Sequence, residues 1–302
     1  MQNYRNKTIF DWNTYEENKI SSFISLVIMK FLKRKFSNLK IHNVIVRDVN
    51  SLVSIILQLD DTYIDKSQKN SLYFLINEFI LRKNYILKYF AIQSLYNNKF
   101  EKGKNISTFI NEYIKFEVSY FNPVLISLLP NSFYQPNINI LDQYYYKFNK
   151  WIKSSECNNM INLGDDGGNI CIILNQFFNN MISFFHCKNS YNCAKEMIKD
   201  NIILNLDITF DINDCMNFDC SFTNIILFIN PGRKGLKDYE INFINNSKNI
   251  KYIIYLACNF KAFLKDKDEL EYYQINDNIE IDVMPFTKMT QNLIYMEKVA
   301  KI

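Results

Sequence analysis

Histidine, proline and glycine are scarce in this 302-residue chain, with two, five and six copies. Only His42 and His186 are present, and the seven cysteines (157, 171, 187, 193, 215, 220 and 258) form no C-x-x-C pair. The ligand sets of zinc sites are therefore missing, and no metal is expected. The cysteines are scattered in a chain too large to need a disulfide framework, which points to a reducing compartment. No apolar run approaches the roughly 18 residues needed to cross a bilayer. The longest, Phe23 to Met29, is interrupted by Ser25 and followed by Lys30, Lys33, Arg34 and Lys35. Asp11, Glu16 and Glu17 argue against a signal or transit peptide. These absences predict an intracellular protein, cytoplasmic or organellar (mitochondria included), with no membrane partner.

A strong excess of either charge is missing too. Thirty-five Lys and Arg against 31 Asp and Glu leave a net charge of +4, which permits a nucleic-acid partner without requiring one. Aromatic residues, by contrast, are abundant: 25 Phe and 20 Tyr. Tyrosines of exposed type would serve as stacking platforms for bases. An A+T-rich coding sequence draws on the same alphabet, so composition leaves the matter open.

Periodicity divides the chain near Pro130. Before it, Ser21 to Phe36 reads as a helix with a basic end. Ile41 to Arg47 and Ser51 to Leu59 read as strands around an Asp48-Val49-Asn50 turn. Tyr73 to Leu81 has helical spacing, Ile86 to Ile92 that of a strand, and Lys99 to Asn105, with Gly103, that of a loop. Ile114 to Phe121 and Val124 to Leu129 resume strand character. After Pro130, helix-like Tyr144 to Ile152, Ile170 to Phe178 and Tyr191 to Lys199 alternate with apolar runs. Those runs are Met160 to Leu163, Met181 to Phe185, Ile202 to Leu206, Asn224 to Ile229 and Tyr252 to Leu256. Such alternation implies crossover connections and a parallel sheet. The expected architecture is a smaller mixed α/β domain over 1–130 and an α/β, Rossmann-like domain over 131–302.

Five of the six glycines fall in two clusters, Gly164/Gly167/Gly168 and Gly232/Gly235, each directly after an apolar run. In doubly wound sheets the ligand sits where strands end and the backbone turns tightly, so both clusters are candidate site loops.

Five segments in order carry a resemblance. They are Asn131-Ser132-Phe133-Tyr134-Gln135-Pro136-Asn137, Asn162-Leu163-Gly164-Asp165-Asp166-Gly167-Gly168-Asn169, Asn230-Pro231-Gly232-Arg233-Lys234-Gly235-Leu236, Tyr255-Leu256-Ala257-Cys258-Asn259, and Met284-Pro285-Phe286-Thr287-Lys288-Met289-Thr290-Gln291. Together they resemble the uracil-C5 (5-methyluridine) RNA methyltransferases over residues 130–300. The resemblance implies an S-adenosylmethionine-methyltransferase domain acting on tRNA or rRNA. Cys258 would be the thiolate that adds to uracil C6, making C5 nucleophilic enough to take a methyl group. Arg233 and Lys234 would lower its pKa or hold phosphate. Gln135 would hold base or cofactor by its amide. Gly164, Gly167 and Gly168 would line the cofactor, with Asp207 at the adenine and Asn230 on the same side.

The chain departs from that pattern at the chemistry. The acid of the third segment is Asn230, and Gly232 replaces its second proline. Gln291 stands where the general base belongs, and Met289 where its neighbouring histidine belongs. Asp166 fills a glycine position, and the acid for the ribose hydroxyls falls on Phe185 or His186. The expected function is an RNA-binding protein with methyl transfer lost or strongly reduced, acting as a folding factor or a structural part of an RNA-rich assembly with ribonucleoprotein partners. An active uracil methyltransferase and a Rossmann-like protein binding another nucleotide or a protein partner are the alternatives.

Overall fold

The computed structural model describes residues 28, 30, 32, 34, 41–60, 64–95, 104–129, 132, 141–164, 168–185, 187–209, 221–282 and 290–299. The chain divides into two units, 1–116 with 128–130, and 117–127 with 131–302.

The first unit holds a four-stranded sheet in the order β1 (Ile41–Val49), β2 (Leu52–Asp60), β3 (Ile86–Leu95), β4 (Lys104–Asn111). β1 and β2 run antiparallel and are joined through Asn50 and Ser51, both at positive φ. That is the twist a two-residue hairpin needs, so the turn lies later than Asp48-Val49-Asn50. Helix α1 (Lys66–Leu81) crosses over between the parallel strands β2 and β3. It begins seven residues ahead of Tyr73, where the periodicity first shows. Asp65 and Gln68 form a reciprocal capping box that nucleates the polar first turn. Its Leu72, Ile76 and Ile80 cover Val44, Val46, Ile55, Leu57, Phe90 and Ile92. Lys104 and Asn105, expected in a loop, pair with Ser94 and Gln93 as the start of β4. Ile28 and Leu32 of a helical stretch are buried while Lys30 and Arg34 are exposed, so the basic residues form its outer face.

A two-stranded ribbon, β5 (Ile114–Val118) and β6 (Val124–Leu128), carries the chain from the first unit to the second. β5 stops short of Phe121. Residues 117–127 cluster with the second unit, not with 1–130, because Asn201 grips Leu125. Its amide accepts from Leu125 N at 2.7 Å and donates to Leu125 O at 2.8 Å.

The second unit is a seven-stranded Rossmann-like sheet, in the order β12-β13-β11-β10-β7-β8-β9. Strands β7 (Asn159–Gly164), β8 (Asn180–Phe184), β9 (Leu206–Thr209), β10 (Ile225–Asn230) and β11 (Ile250–Ala257) are mutually parallel. β13 (Thr290–Lys298) runs antiparallel to β11, and β12 (Tyr273–Asp282) closes that edge. Helix α2 (Leu141–Ser155) precedes β7. Helices α3 (Asn169–Leu174) and α4 (Lys188–Asn201) follow β7 and β8; α5 (Asp238–Asn246) and α6 (Phe260–Glu269) follow β10 and β11.

One face of the sheet packs Ile161, Leu163, Leu227, Ile229, Ile253 and Ile294 against Ile241, Ile244 and Phe263 of α5 and α6. On the other face Trp151 of α2 stacks on Tyr295, which stacks on Tyr252, at 5.1 and 5.4 Å. Tyr144, Tyr145, Tyr255, Tyr273 and Tyr295 are buried, so many of the aromatics are core material and not exposed platforms.

The apolar run Ile202 to Leu206 is not a strand. Helix α4 continues to Asn201, and Ile202 closes it at a φ of 54° while 78% exposed. Strand β9 starts only at Leu206. Helices α5 and α6 and strands β12 and β13 show no expected signal in the sequence. Their charged, asparagine-rich stretches hide the buried spacing, as Phe263 and Asp266 illustrate within Lys261-Ala262-Phe263-Leu264-Lys265-Asp266. No helix among the described residues is long and apolar enough to cross a membrane.

Candidate functional site

The strand order changes direction between β7 and β10, and there a doubly wound sheet leaves a crevice at its carboxyl edge. Gly164 ends β7 directly opposite Asn230, the last residue of β10. At a φ of 144°, a side chain on Gly164 would place its Cβ 2.5 Å from the Asn230 carbonyl oxygen. The close approach of the two strand ends therefore requires glycine. Gly168 opens α3 at a φ of 81°, with Ala194 of α4 only 2.7 Å from where its Cβ would stand. Its role is to let the start of α3 pack closely against α4.

Next to β10, strand β11 delivers Cys258 just past Ala257. Ala257 pairs with Asn292 of the antiparallel β13, so one further step along the register sets Cys258 opposite Gln291. Gln291 is buried, and Tyr144 of α2 donates its hydroxyl proton to Gln291 Oε1 at 2.5 Å. Burial and the neighbouring Cys258 push the Tyr144 hydroxyl up beyond the ordinary phenol range, so it stays a donor. Gln291, Cys258, Asn230 and Gly164 thus lie along one edge of four adjacent strands.

Arg233 and Lys234 lie in the short turn Gly232–Lys234 and are exposed. Asn259 holds this turn by donating to the Arg233 carbonyl at 3.1 Å, while its side-chain oxygen caps α6 by accepting from Lys261 N. Burial raises the Cys258 thiol above its usual value, partly offset by its own backbone N–H and by the Arg233 guanidinium. The site as it stands favours the thiol over the thiolate. Iodoacetamide alkylation of Cys258 is accordingly expected to accelerate only above the ordinary thiol range. Arg233→Gln should move that inflection further up by removing the one positive charge that lowers it. A pH–rate profile checks both, and an inflection near neutrality would contradict the burial argument.

Asp266 belongs to this turn as well, although nothing in the sequence pattern marks it. From the buried side of α6 its Oδ2 accepts from Leu236 N at 2.8 Å and from the Tyr255 hydroxyl. A Cβ on Gly235, at a φ of 79°, would fall 2.6 Å from that same oxygen. Gly235 and Asp266 together fix the turn that presents Arg233.

Asp207 is not at a strand end. It is the second residue of β9, paired with Ile182 and so level with Ile161, three residues or about 10 Å short of Gly164. It is exposed on the edge strand, and nothing brings it to the crevice. Phe185, after β8, is fully buried and donates its N–H to Thr209 O, leaving no carboxylate there among the described residues. Gln135, Asp165, Asp166, Gly167, His186, Met284 and Met289 lie outside the described residues. Among the described residues no cluster of His, Cys, Asp or Glu could hold a metal ion.

No protein-family model matches the chain. It is 23% identical over 183 residues to the 23S rRNA (uracil(747)-C(5))-methyltransferase RlmC of Proteus mirabilis, covering 60% of this chain and 46% of that protein. Against the Actinobacillus pleuropneumoniae enzyme of the same name, identity is 26% over 185 residues, covering 59% and 47%. Among solved structures, the Pyrococcus abyssi tRNA (uracil-54, C5)-methyltransferase in complex with S-adenosyl-L-homocysteine superposes with a TM-score of 0.65. That match has 16% identity and covers 91% of this chain and 67% of that one. Over about 60% of its length the chain is similar to the uracil-C5 RNA methyltransferases. The Methanocaldococcus jannaschii tRNA m1G37 methyltransferase shares the fold at a TM-score of 0.51, with 12% identity over 92% of this chain and 79% of that one. The chain spans about half the length of the curated uracil-C5 methyltransferases it matches.

Proposed function

We propose that this protein binds RNA, tRNA or rRNA, on a uracil-C5 methyltransferase fold, with methyl transfer lost or strongly reduced. One observation carries the reading: the β13 residue one step past the Ala257–Asn292 pair is a buried amide, engaged by the Tyr144 hydroxyl that also neighbours Cys258. An amide accepts no proton near neutral pH. Thiolate addition to C6 followed by alkylation leaves a proton on C5 that a base must remove before the sulfur can depart, and Gln291 cannot take it. The raised Cys258 thiol works in the same direction, since the thiol must first lose its proton.

The described residues fit S-adenosylmethionine only in part. Gly164 keeps the backbone bend against Asn230 that opens room at the switch point, but among the described residues no carboxylate stands at the end of β8 for the ribose hydroxyls. Loss of a carboxylate that accepts from buried hydroxyls costs ~1.5–3 kcal/mol, roughly ten- to hundredfold in affinity. When bound, that cofactor would supply the methyl group.

RNA carrying 5-fluorouridine, incubated with the full chain and cofactor, tests the reading. A working nucleophile and alkylation site gives an adduct with the fluorinated base alone. Loss of the base residue alone gives an adduct with ordinary uridine as well, abolished by Cys258→Ala. The expected result is no adduct or the second pattern; rapid turnover of ordinary uridine would overturn the proposal. Calorimetry with S-adenosylmethionine is expected to show binding no tighter than tens of micromolar, and low-micromolar binding would contradict the weakened cofactor edge.

A further inference from the structure

A cavity of about 660 Å³ opens at the opposite end of the same sheet from Cys258. Three lysines line it: Lys248 after α5, Lys251 near the start of β11, and Lys298 at the end of β13, with Asn245, Asn246, Tyr272 and Val299 completing the wall. The register Tyr252↔Glu297, continued by one step, sets Lys251 directly opposite Lys298. Like charges so placed destabilise a strand pair. Lys298 is partly compensated, because it donates to the Ser247 carbonyl at 2.6 Å, at the C-terminal end of α5. Burial and Lys251 nevertheless hold its ammonium below the ordinary lysine range. Lys248 and Lys251 have no such partner, since among the described residues neither is ion-paired and no carboxylate lines the cavity. Three cations gathered in a recess with no acid among its described lining residues form a site for an anion with several oxygens, for which Lys and Asn side chains are the matching donors.

We propose that this cavity binds phosphate, as a phosphodiester of the RNA backbone engaged away from the uracil-facing edge. Lys251 and Cys258 are seven residues apart on one strand, or about 23 Å. An RNA reaching both would run along the sheet, and Tyr272 offers a ring beside the phosphate for a sugar or base. Only the source of the phosphate rests on the RNA reading above; the cavity's chemistry stands without it.

The test uses the full chain, wild type and Lys248→Gln/Lys251→Gln, with two probes: inorganic pyrophosphate by calorimetry, and a uridine-containing RNA by gel shift at rising salt. Both substituted lysines are exposed, so the variant should fold and melt no lower than wild type, with repulsion against Lys298 relieved. Pyrophosphate binding is expected to fall at least tenfold, and the salt slope of RNA binding to flatten by about 0.7 for each phosphate no longer neutralised. Alkylation of Cys258 should be unchanged, which separates this cavity from the uracil-facing site. Loss of pyrophosphate binding with an unaltered RNA slope assigns the cavity to a free phosphate compound. Pyrophosphate binding by a wild-type chain that binds no RNA does the same, and in that case it is the RNA reading that fails. The proposal is overturned if the variant binds both probes as wild type does, or if wild type binds neither.

Discussion

Gln291→Glu is expected to raise methyl transfer to uracil by about 10²–10⁴-fold over the wild-type chain, the contribution that a positioned general base ordinarily makes. The geometry for such a gain is already built. Position 291 faces Cys258 across the β11–β13 register, and its side-chain oxygen lies within hydrogen-bond reach of the Tyr144 hydroxyl. A carboxylate there would keep Tyr144 as its donor, and the buried setting would lift its pKa toward the range in which a base works at neutral pH. The measurement is single-turnover transfer of labelled methyl groups to uridine-containing RNA at millimolar S-adenosylmethionine, which offsets the weakened cofactor edge. Gln291→Met removes the hydrogen bond without supplying a base and should gain nothing. Were glutamate no better than methionine, the missing proton acceptor would not be what limits the site.

Asp266→Ala is expected to cost about 3 kcal/mol of stability, close to a hundredfold in the folding constant, because two buried donors lose one acceptor together. The backbone N–H of Leu236 and the Tyr255 hydroxyl both point at the same Asp266 oxygen. Asp266→Asn keeps an oxygen able to accept from both and should lose less than half as much. The pH dependence has a definite sign. Burial holds the Asp266 carboxyl above the ordinary carboxylate range, although Tyr255 and Leu236 pull it back down. The folded chain therefore binds that proton more readily than the unfolded chain. This contribution to stability is complete below the unfolded carboxylate value and is lost as pH rises through the folded one. Denaturant midpoints across the acid range should show that slope in wild type and not in Asp266→Asn. Equal midpoints for the alanine and asparagine variants would mean that Asp266 does not organise the Arg233 turn.

What the sequence revealed and what it hid have different physical origins. The strands β7, β8, β10 and β11 are continuous apolar runs, as parallel strands covered on both faces must be, and they announce the Rossmann-like half of the chain. The glycines beside them mark its crevice because Gly164 and Gly235 occupy backbone conformations and close approaches that few other residues tolerate. The run Ile202 to Leu206 misleads for an equally physical reason. Asn201 ties the end of α4 to Leu125, a contact 76 residues away in the chain, and leaves Ile202 to close the helix where periodicity suggests a strand. Tyr144 is readable as a helix position, but its bond to Gln291 spans 147 residues and follows only from the antiparallel return of β13. Asp266 is concealed in a charged run that reads as a solvated helix face.

The most direct test is whether the wild-type chain transfers labelled methyl groups from S-adenosylmethionine to uracil in tRNA and 23S rRNA while binding those RNAs. Binding that weakens with salt is expected, with transfer at least about 100-fold slower than the roughly 10 s⁻¹ median within the 1–10³ s⁻¹ range of ordinary enzymes. Turnover within that ordinary range, with Gln291 in place, would contradict it.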